Sequence, residues 1–229
     1  MHLTRFRFNT ARLGSRRLLS SPQMLHAAVL SSFADLPKQR DDGSRVLWRI
    51  DSTSRAEIHL YIVSPDKPDL THLVEQAGWP ATGRWETQDY GPFLSRLASG
   101  DRWSFRLTAN PVHSVRCKDE QPTKWTAHIG HLHQMRWLLQ RQERSGFTVL
   151  EKTAEKRVTP DRDQHELIVH DQRTLAFRKS GNGKPVTLVT VTYDGLLEVT
   201  DPQALRRTLI QGLGRAKAYG CGLMTLAAR

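Results

Sequence analysis

Hydrophobic and polar positions change period several times along the 229-residue chain, and each change marks an element. Leu3-Thr4-Arg5-Phe6-Arg7-Phe8 alternates apolar with polar or cationic residues at the period of a strand. After an Arg-rich loop, residues 20–33 follow helical spacing, with Ser21 as N-cap and Pro22 at the first helical position, where a missing N–H costs nothing. Residues 45–51 and 56–63 read as two strands of a hairpin joined by a polar turn. Residues 69–77 form a second helix that Gly78 ends, and residues 103–110 a fourth strand that Pro111 stops.

The predicted order in this half is βαββαβ, the ferredoxin-like unit. The polar stretch from Lys118 to Lys124 has no period and reads as a linker or mobile loop. Beyond it the same logic recurs less regularly. Residues 129–144 are helical, with Leu132, Met135, Trp137, Leu138 and Leu139 on the apolar side. Strands are expected at 147–150, 166–169, 174–177, 186–191 and 196–199, and Asp201 and Pro202 open a last helix that runs to Gln211. The expected organisation is an N-terminal unit at 1–115, a linker at 116–126 and a C-terminal unit at 127–229.

Composition narrows the partner. Hydrophobic residues make up 38% of the chain, enough for real cores, and 34 Lys+Arg against 23 Asp+Glu leave a formal charge of +11. That excess points to a polyanion, with nucleic acid favoured over an anionic membrane because no apolar run is long enough to span one. Cys117 and Cys221 are far apart and match no zinc spacing, so neither a disulfide framework nor a metal knuckle is indicated, and a reducing cytoplasm is the expected compartment. Residues 1–34 contain no Asp or Glu and are rich in Arg and Ser, as in an organellar transit peptide. The strand alternation at Leu3–Phe8 argues for a folded segment instead.

Candidate chemistry starts with what is missing. No Gly-x-Ser-x-Gly, His-Glu-x-x-His or CxxC pair occurs. His128, His131 and His133 cannot all share one helix face and read as a polar, RNA-facing edge, so no metal or cofactor is expected. His26 has a different setting, with Arg12, Arg16 and Arg17 just upstream. A group that titrates near neutrality can move a proton while arginines hold a phosphate, a constellation suited to metal-free RNA cleavage. A packed or surface histidine is the plain alternative reading. Lys152, Lys156, Arg157 and Arg162 in one loop, with Arg178 and Lys179 in the following hairpin, suggest a surface that tracks phosphates; a solvated face is the alternative for any one of them.

The segment from Gly212 to Leu226 carries Gly212, Gly214, Gly220 and Gly222 with Arg215 and Lys217. These glycines follow a helix and precede a strand, the reverse of a nucleotide phosphate loop. A Rossmann or Walker site is therefore not expected; a phosphate contact and an ordinary helix-to-strand turn both remain open.

Taken together, the Leu3–Phe8 strand, the helix Ser21-Pro22-Gln23-Met24-Leu25-His26, the strand end at Arg106–Val112, the block Trp137–Phe147 and the closing Gly212–Leu223 segment resemble the CasE family, the CRISPR RNA-processing endoribonucleases of type I-E systems. The resemblance spans essentially the whole chain in order. It implies an α+β protein of two tandem ferredoxin-like domains with a C-terminal glycine-rich loop. It also implies binding of the CRISPR repeat hairpin in precursor and mature RNA, and assembly with other Cascade subunits. Family members cut without metal, a ribose 2′-OH attacking the adjacent phosphate to leave a 2′,3′-cyclic phosphate and a 5′-OH, and His26 matches the family histidine. Some members carry Tyr three residues before it, where this chain has Gln23. A phosphate-stabilising lysine of the family has no counterpart at Ser31 or Ser32, with Lys38 and Arg40 as the nearest cations. The competing readings are a non-catalytic RNA-binding subunit of the same complex and a general basic RNA binder.

Overall fold

In the computed structural model, the described residues are 1–35, 40–54, 57–79, 81, 83–115, 124–159, 163–178 and 185–228, with backbone alone at 115, 124, 178 and 185. In chain order the first elements are β1 (His2–Arg7), α1 (Leu13–Ser20), α2 (Pro22–Leu30), β2 (Leu47–Ser54), β3 (Glu57–Ser64), α3 (Thr71–Ala77), β4 (Glu86–Asp89) and α4 (Gly91–Arg96). There follow β5 (Arg102–Ala109), β6 (Val112–Val115), β7 (Lys124–Ala127), α5 (His131–Gln142), β8 (Phe147–Val149), β9 (Leu167–Arg178), β10 (Pro185–Val199), α6 (Pro202–Gln211) and β11 (Met224–Ala227). They divide into two units: Met1–Arg96 with Ile210–Gly212 and Ala216–Leu223, and Leu97–Leu209 with Leu213–Arg215 and Met224–Arg229.

In the first unit the sheet order is β2-β3-β1-β4, all antiparallel, with β1 in the centre and Leu3 opposite Val63. This is the ferredoxin-like arrangement. The alternation in β1 has the expected effect: Phe6 and Phe8 are buried, meet edge to face at 5.0 Å, and join Leu25, Val29, Trp48, Leu60 and Leu73 in the core. Ser21 caps α2 by accepting the Met24 N–H at 3.3 Å. The predicted fourth strand is not in this sheet. Its place is taken by β4, whose residues Glu86-Thr87-Gln88-Asp89 are largely exposed and so lack apolar alternation; Thr87 meets Thr4 through their hydroxyls at 2.9 Å.

A second correction concerns residues 13–20, read as a loop and found as helix α1. No side chain caps it, which removes the usual signal. Tertiary contact holds it instead. A Cβ at Gly14 would lie 2.1 Å from the Gln76 carbonyl oxygen, so only glycine allows this approach to α3, and Ser15 Oγ donates to the Ala77 carbonyl at 2.8 Å.

In the second unit the order is β11-β5-β10-β8, with β9 pairing β10 over residues 185–195, ahead of the stretch 197–199 that pairs β8. Counting β5, β8, β10 and β11 as the four strands and α5 and α6 as the two helices, this too is ferredoxin-like. Residues 103–110 thus belong to the first strand of this unit, paired with both β10 and β11. The four strands expected between 166 and 199 merge into one long hairpin, β9 and β10, with a register shift at Thr190/Thr192. Asp201 caps α6 as expected, its carboxylate accepting from the Gln203 and Ala204 N–H groups at 2.9 and 3.0 Å. Of the expected linker, 116–123 lie outside the described residues, and Lys124–Ala127 form β7, which pairs with β6 in a two-stranded ribbon.

Candidate active site

His26 is built into the first unit by its neighbours on α2. Leu25 and Val29 are buried in the core, which fixes the helix and leaves His26 half-buried on its flank. Its Nδ1 accepts a hydrogen bond from the Trp48 Nε1–H at 3.2 Å, and the two rings stack at 6.5 Å with planes 25° apart. An indole nitrogen only donates, so the bond requires an unprotonated Nδ1, and in the neutral ring Nε2 carries the hydrogen. Burial lowers the His26 pKa from its ordinary value, because a charged imidazole loses hydration there.

Trp48 is 3% exposed, and the glycine-rich segment helps fix it. All four glycines of that segment have positive φ: 77° at Gly212, 83° at Gly214, 79° at Gly220 and 91° at Gly222. At Gly220 the requirement is double, since a Cβ would also come within 2.7 Å of Trp48 Cζ3. Gly220 ends a 3-10 turn, Lys217–Tyr219, that packs against α2 and β2. Three residues on, the Leu223 carbonyl accepts from Arg49 Nη1 at 3.0 Å. Arg49 is 1% exposed, holds Asp51 through two bonds of 2.6 and 2.8 Å, and lies over the Tyr61 ring at 5.6 Å. Trp48 and Arg49, neighbours on β2, thus connect the histidine and the glycine-rich segment to one rigid strand.

Lys217 brings a cation to this region. It is half-buried, and its pKa is lowered first by desolvation and then by Arg45. Cys221 is fully buried, its thiol pushed up to about 12. The glycine-rich segment was expected in the C-terminal unit. Gly212 and residues 216–223 pack instead in the first unit, where Gly220 and Leu223 are held by β2, while residues 213–215 and 224–226 join the second.

The other predicted cations divide into engaged and exposed groups. Arg12 caps the end of α3, its Nη1 donating to the Val74 and Gly78 carbonyls at 3.2 Å each. Arg16, whose Nε donates to the Thr10 carbonyl, and Arg17 are exposed on α1. In the second unit, Lys152 pairs with Asp163, and Arg157 donates to the Lys152 carbonyl at 3.1 Å and reaches Glu151 at 3.4 Å. Lys156 is exposed. Arg215 is exposed and stacks over the Trp125 ring at 4.1 Å. Arg162 and Lys179 lie outside the described residues, as does the side chain of Arg178. Lys38 is also outside, and Arg40 pairs with Asp66. His128 stacks between His113 and His133, at 4.4 and 5.8 Å. Among the described residues, no three of His, Cys, Asp and Glu are grouped to hold a metal ion.

Sequence reasoning singled out His26 but not Trp48 and Arg49, which organise its surroundings. Trp48 and Arg49 looked like strand positions; the one signal available was a cation in an otherwise apolar run.

Fold and site together define a tandem ferredoxin-like α+β protein with a tautomer-controlled histidine and a strongly basic chain. The chain belongs to the CRISPR associated protein family, whose description it matches over residues 1–228. It is 28% identical over 232 residues to the CRISPR-associated endoribonuclease Cse3 of Thermus thermophilus, covering 99% of this chain and 100% of that one. A solved structure of CRISPR endoribonuclease Cse3 bound to a 19-nucleotide RNA superposes with a TM-score of 0.77 at 27% identity, covering 99% and 100% of the two chains. A shorter match, 46% identical over 48 residues, joins 21% of this chain to 24% of the CRISPR system Cascade subunit CasE of Escherichia coli.

Proposed function

We propose that this protein is a metal-independent endoribonuclease that cuts the stem-loop of CRISPR repeats in precursor RNA and stays bound to the product as a subunit of a Cascade complex. The observation that carries the reading is the Trp48–His26 hydrogen bond within a chain that matches an RNA-cleaving relative from end to end. The nucleophile is a 2′-OH of the RNA itself. It attacks the adjacent phosphorus as its proton passes to water, and the P–O bond to the 5′-oxygen breaks as that oxygen takes up a proton, giving a 2′,3′-cyclic phosphate and a 5′-OH. The protein has to move protons, hold the RNA in line and stabilise negative charge on the phosphate.

Because Trp48 occupies Nδ1, any proton His26 exchanges with RNA passes through Nε2. In the tautomer that Trp48 selects, the neutral ring carries its hydrogen on Nε2 and offers the departing 5′-oxygen a hydrogen bond. To release that proton the ring must first take up another at Nδ1, which breaks the Trp48 bond, so His26 acts as a general acid only as the imidazolium. Lys217, on the turn packed against α2, supplies positive charge for the phosphate, and Arg16 and Arg17 add to the field on α1. In the second unit Lys156 and Arg215, together with Arg162, Arg178 and Lys179, serve the stem, which proteins recognise by shape and phosphates because the A-form major groove is too narrow to read.

The partners are the repeat hairpin and the other subunits of Cascade, the complex in the name of the Escherichia coli relative. Among the described residues no helix is long and apolar enough to cross a membrane, and we place the protein in the cytoplasm. Gln23, where some family members carry Tyr, favours a second reading, a subunit that binds the hairpin without cutting it. Deoxyribose at the nucleotide preceding the cut tests the mechanism: cleavage should disappear while binding stays largely intact, and persistent cleavage would sink it.

A further inference from the structure

At the edge of the first unit, β4 pairs with β1 only from His2 to Arg5, so the strand beyond Arg5 lies uncovered by it. A cleft of about 200 Å³ opens there, lined by Phe6, Arg7, Val74, Trp79, Arg84 and Glu86. Its floor is apolar, Phe6 being 1% exposed, whereas its rim carries two guanidinium groups and one carboxylate. Trp79 is 40% exposed yet held in place, its Nε1–H donating to the Phe8 carbonyl at 3.3 Å. Arg7 lies over the indole at 5.6 Å from the ring centre. Glu86 is oriented by Arg5, which binds Oε2 at 2.7 Å and leaves Oε1 and the second lone pair of Oε2 to accept a pair of donors. Nothing in the mechanism above uses this cleft.

A small cavity with a fixed, half-open aromatic face, an apolar floor, two cations and one acceptor is complementary to a single nucleotide. The indole stacks a base, as aromatic side chains do for any unpaired base, once Arg7 turns from over the ring toward the phosphate. Arg7 and Arg84 match the phosphate. Glu86 accepts from base N–H groups, and guanine alone presents an imino and an amino donor side by side. A base inside a helix cannot enter. We infer that this cleft binds one unpaired nucleotide of the bound RNA, with guanine preferred over uracil. The inference rests on the proposed RNA-binding function and adds a base-reading subsite to a protein that otherwise recognises shape.

Two measurements on the full chain test it. In the first, the indole N–H resonance of Trp79, assigned with Trp79→Phe, is followed while GMP or UMP is added. GMP should move it at a concentration about ten-fold lower than UMP, the discrimination of one two-bond contact. In the second, affinity is compared for the repeat hairpin with its single-stranded flanks and for a blunt duplex of the same stem made from two strands. Trp79→Ala should weaken binding of the flanked hairpin about ten-fold, the effect of one lost stack, and leave the duplex unchanged. Arg84→Ala, which removes only an exposed side chain, should follow the same pattern and guards against misfolding of the tryptophan variant. Equal losses on both RNAs, no loss on either, or nucleotides that leave Trp79 unmoved would overturn the subsite while the endoribonuclease reading stands. Nucleotide binding at Trp79 by a protein that binds no hairpin would support the cleft and overturn that reading instead.

Discussion

Replacing Trp48 by Phe removes a single hydrogen atom from the proposed chemistry while keeping an aromatic ring in the core. The indole edge facing Gly220, at Cζ3, Cη2 and Cε3, is approximated by the phenyl ring, but the Nε1–H that His26 Nδ1 accepts at 3.2 Å is lost. A neutral hydrogen bond contributes ~1 kcal/mol net. If that energy serves to hold His26 in its working tautomer, losing it slows cleavage by about five-fold, since 1.36 kcal/mol is a factor of ten in rate. The bond forms only with the neutral ring, so its loss also raises the His26 pKa, against the lowering that burial imposes. Single-turnover cleavage of the repeat hairpin across a pH series reads both effects, with a thermal melt to confirm folding. A folded Trp48→Phe protein that cleaves at the wild-type rate, with its pH midpoint unmoved, would refute the assignment of Trp48 as the group that orients His26.

Three further outcomes follow from the same geometry. Gly220→Ala places a side chain at φ 79° and 2.7 Å from Trp48, so it should destabilise the protein by about 1–3 kcal/mol in urea denaturation and slow cleavage as Trp48 is displaced; an unchanged midpoint would contradict the packing. Asp51→Ala leaves the Arg49 guanidinium, 2% exposed at its side chain, without its carboxylate, and should cost about 3–5 kcal/mol by the same measurement; a loss below about 1 kcal/mol would show that the buried cation finds another partner. The Cys221 thiol, pushed up to about 12 by complete burial, should resist alkylation at pH 8 in the folded protein and react once unfolded, as mass spectrometry of the peptide containing it would record.

The parts of this fold that were legible in the sequence are those whose signals are local. β1 announces itself by alternation because one face is buried, α2 by Ser21 and Pro22, and α6 by Asp201 and Pro202. The helix-before-glycine order is likewise as read, with α6 ending at Gln211 and β11 starting at Met224. What escaped detection depends on distant partners. Helix α1 forms because Gly14 and Ser15 meet α3, and β4 because Thr87 and its neighbours complete an edge, so neither carries a periodic apolar pattern. The same distinction holds at the site. His26 could be singled out by its chemistry and its arginine neighbours, yet the Trp48 that selects its tautomer lies 22 residues away, and Arg49 meets Leu223 across 174. Net charge pointed to RNA without telling which cations were available. Arg12 and Lys152, ordinary members of a basic patch by sequence, are engaged with helix carbonyls and Asp163.

Cleavage of the host's own repeat hairpin in excess EDTA, with wild type compared to His26→Ala and the product ends mapped, tests the central claim most directly. The account predicts that wild type cuts and leaves a 2′,3′-cyclic phosphate and a 5′-OH, while the variant binds with similar affinity and does not cut. Wild type that binds the hairpin without cutting it, or a His26→Ala protein that cuts as fast as wild type, would contradict it.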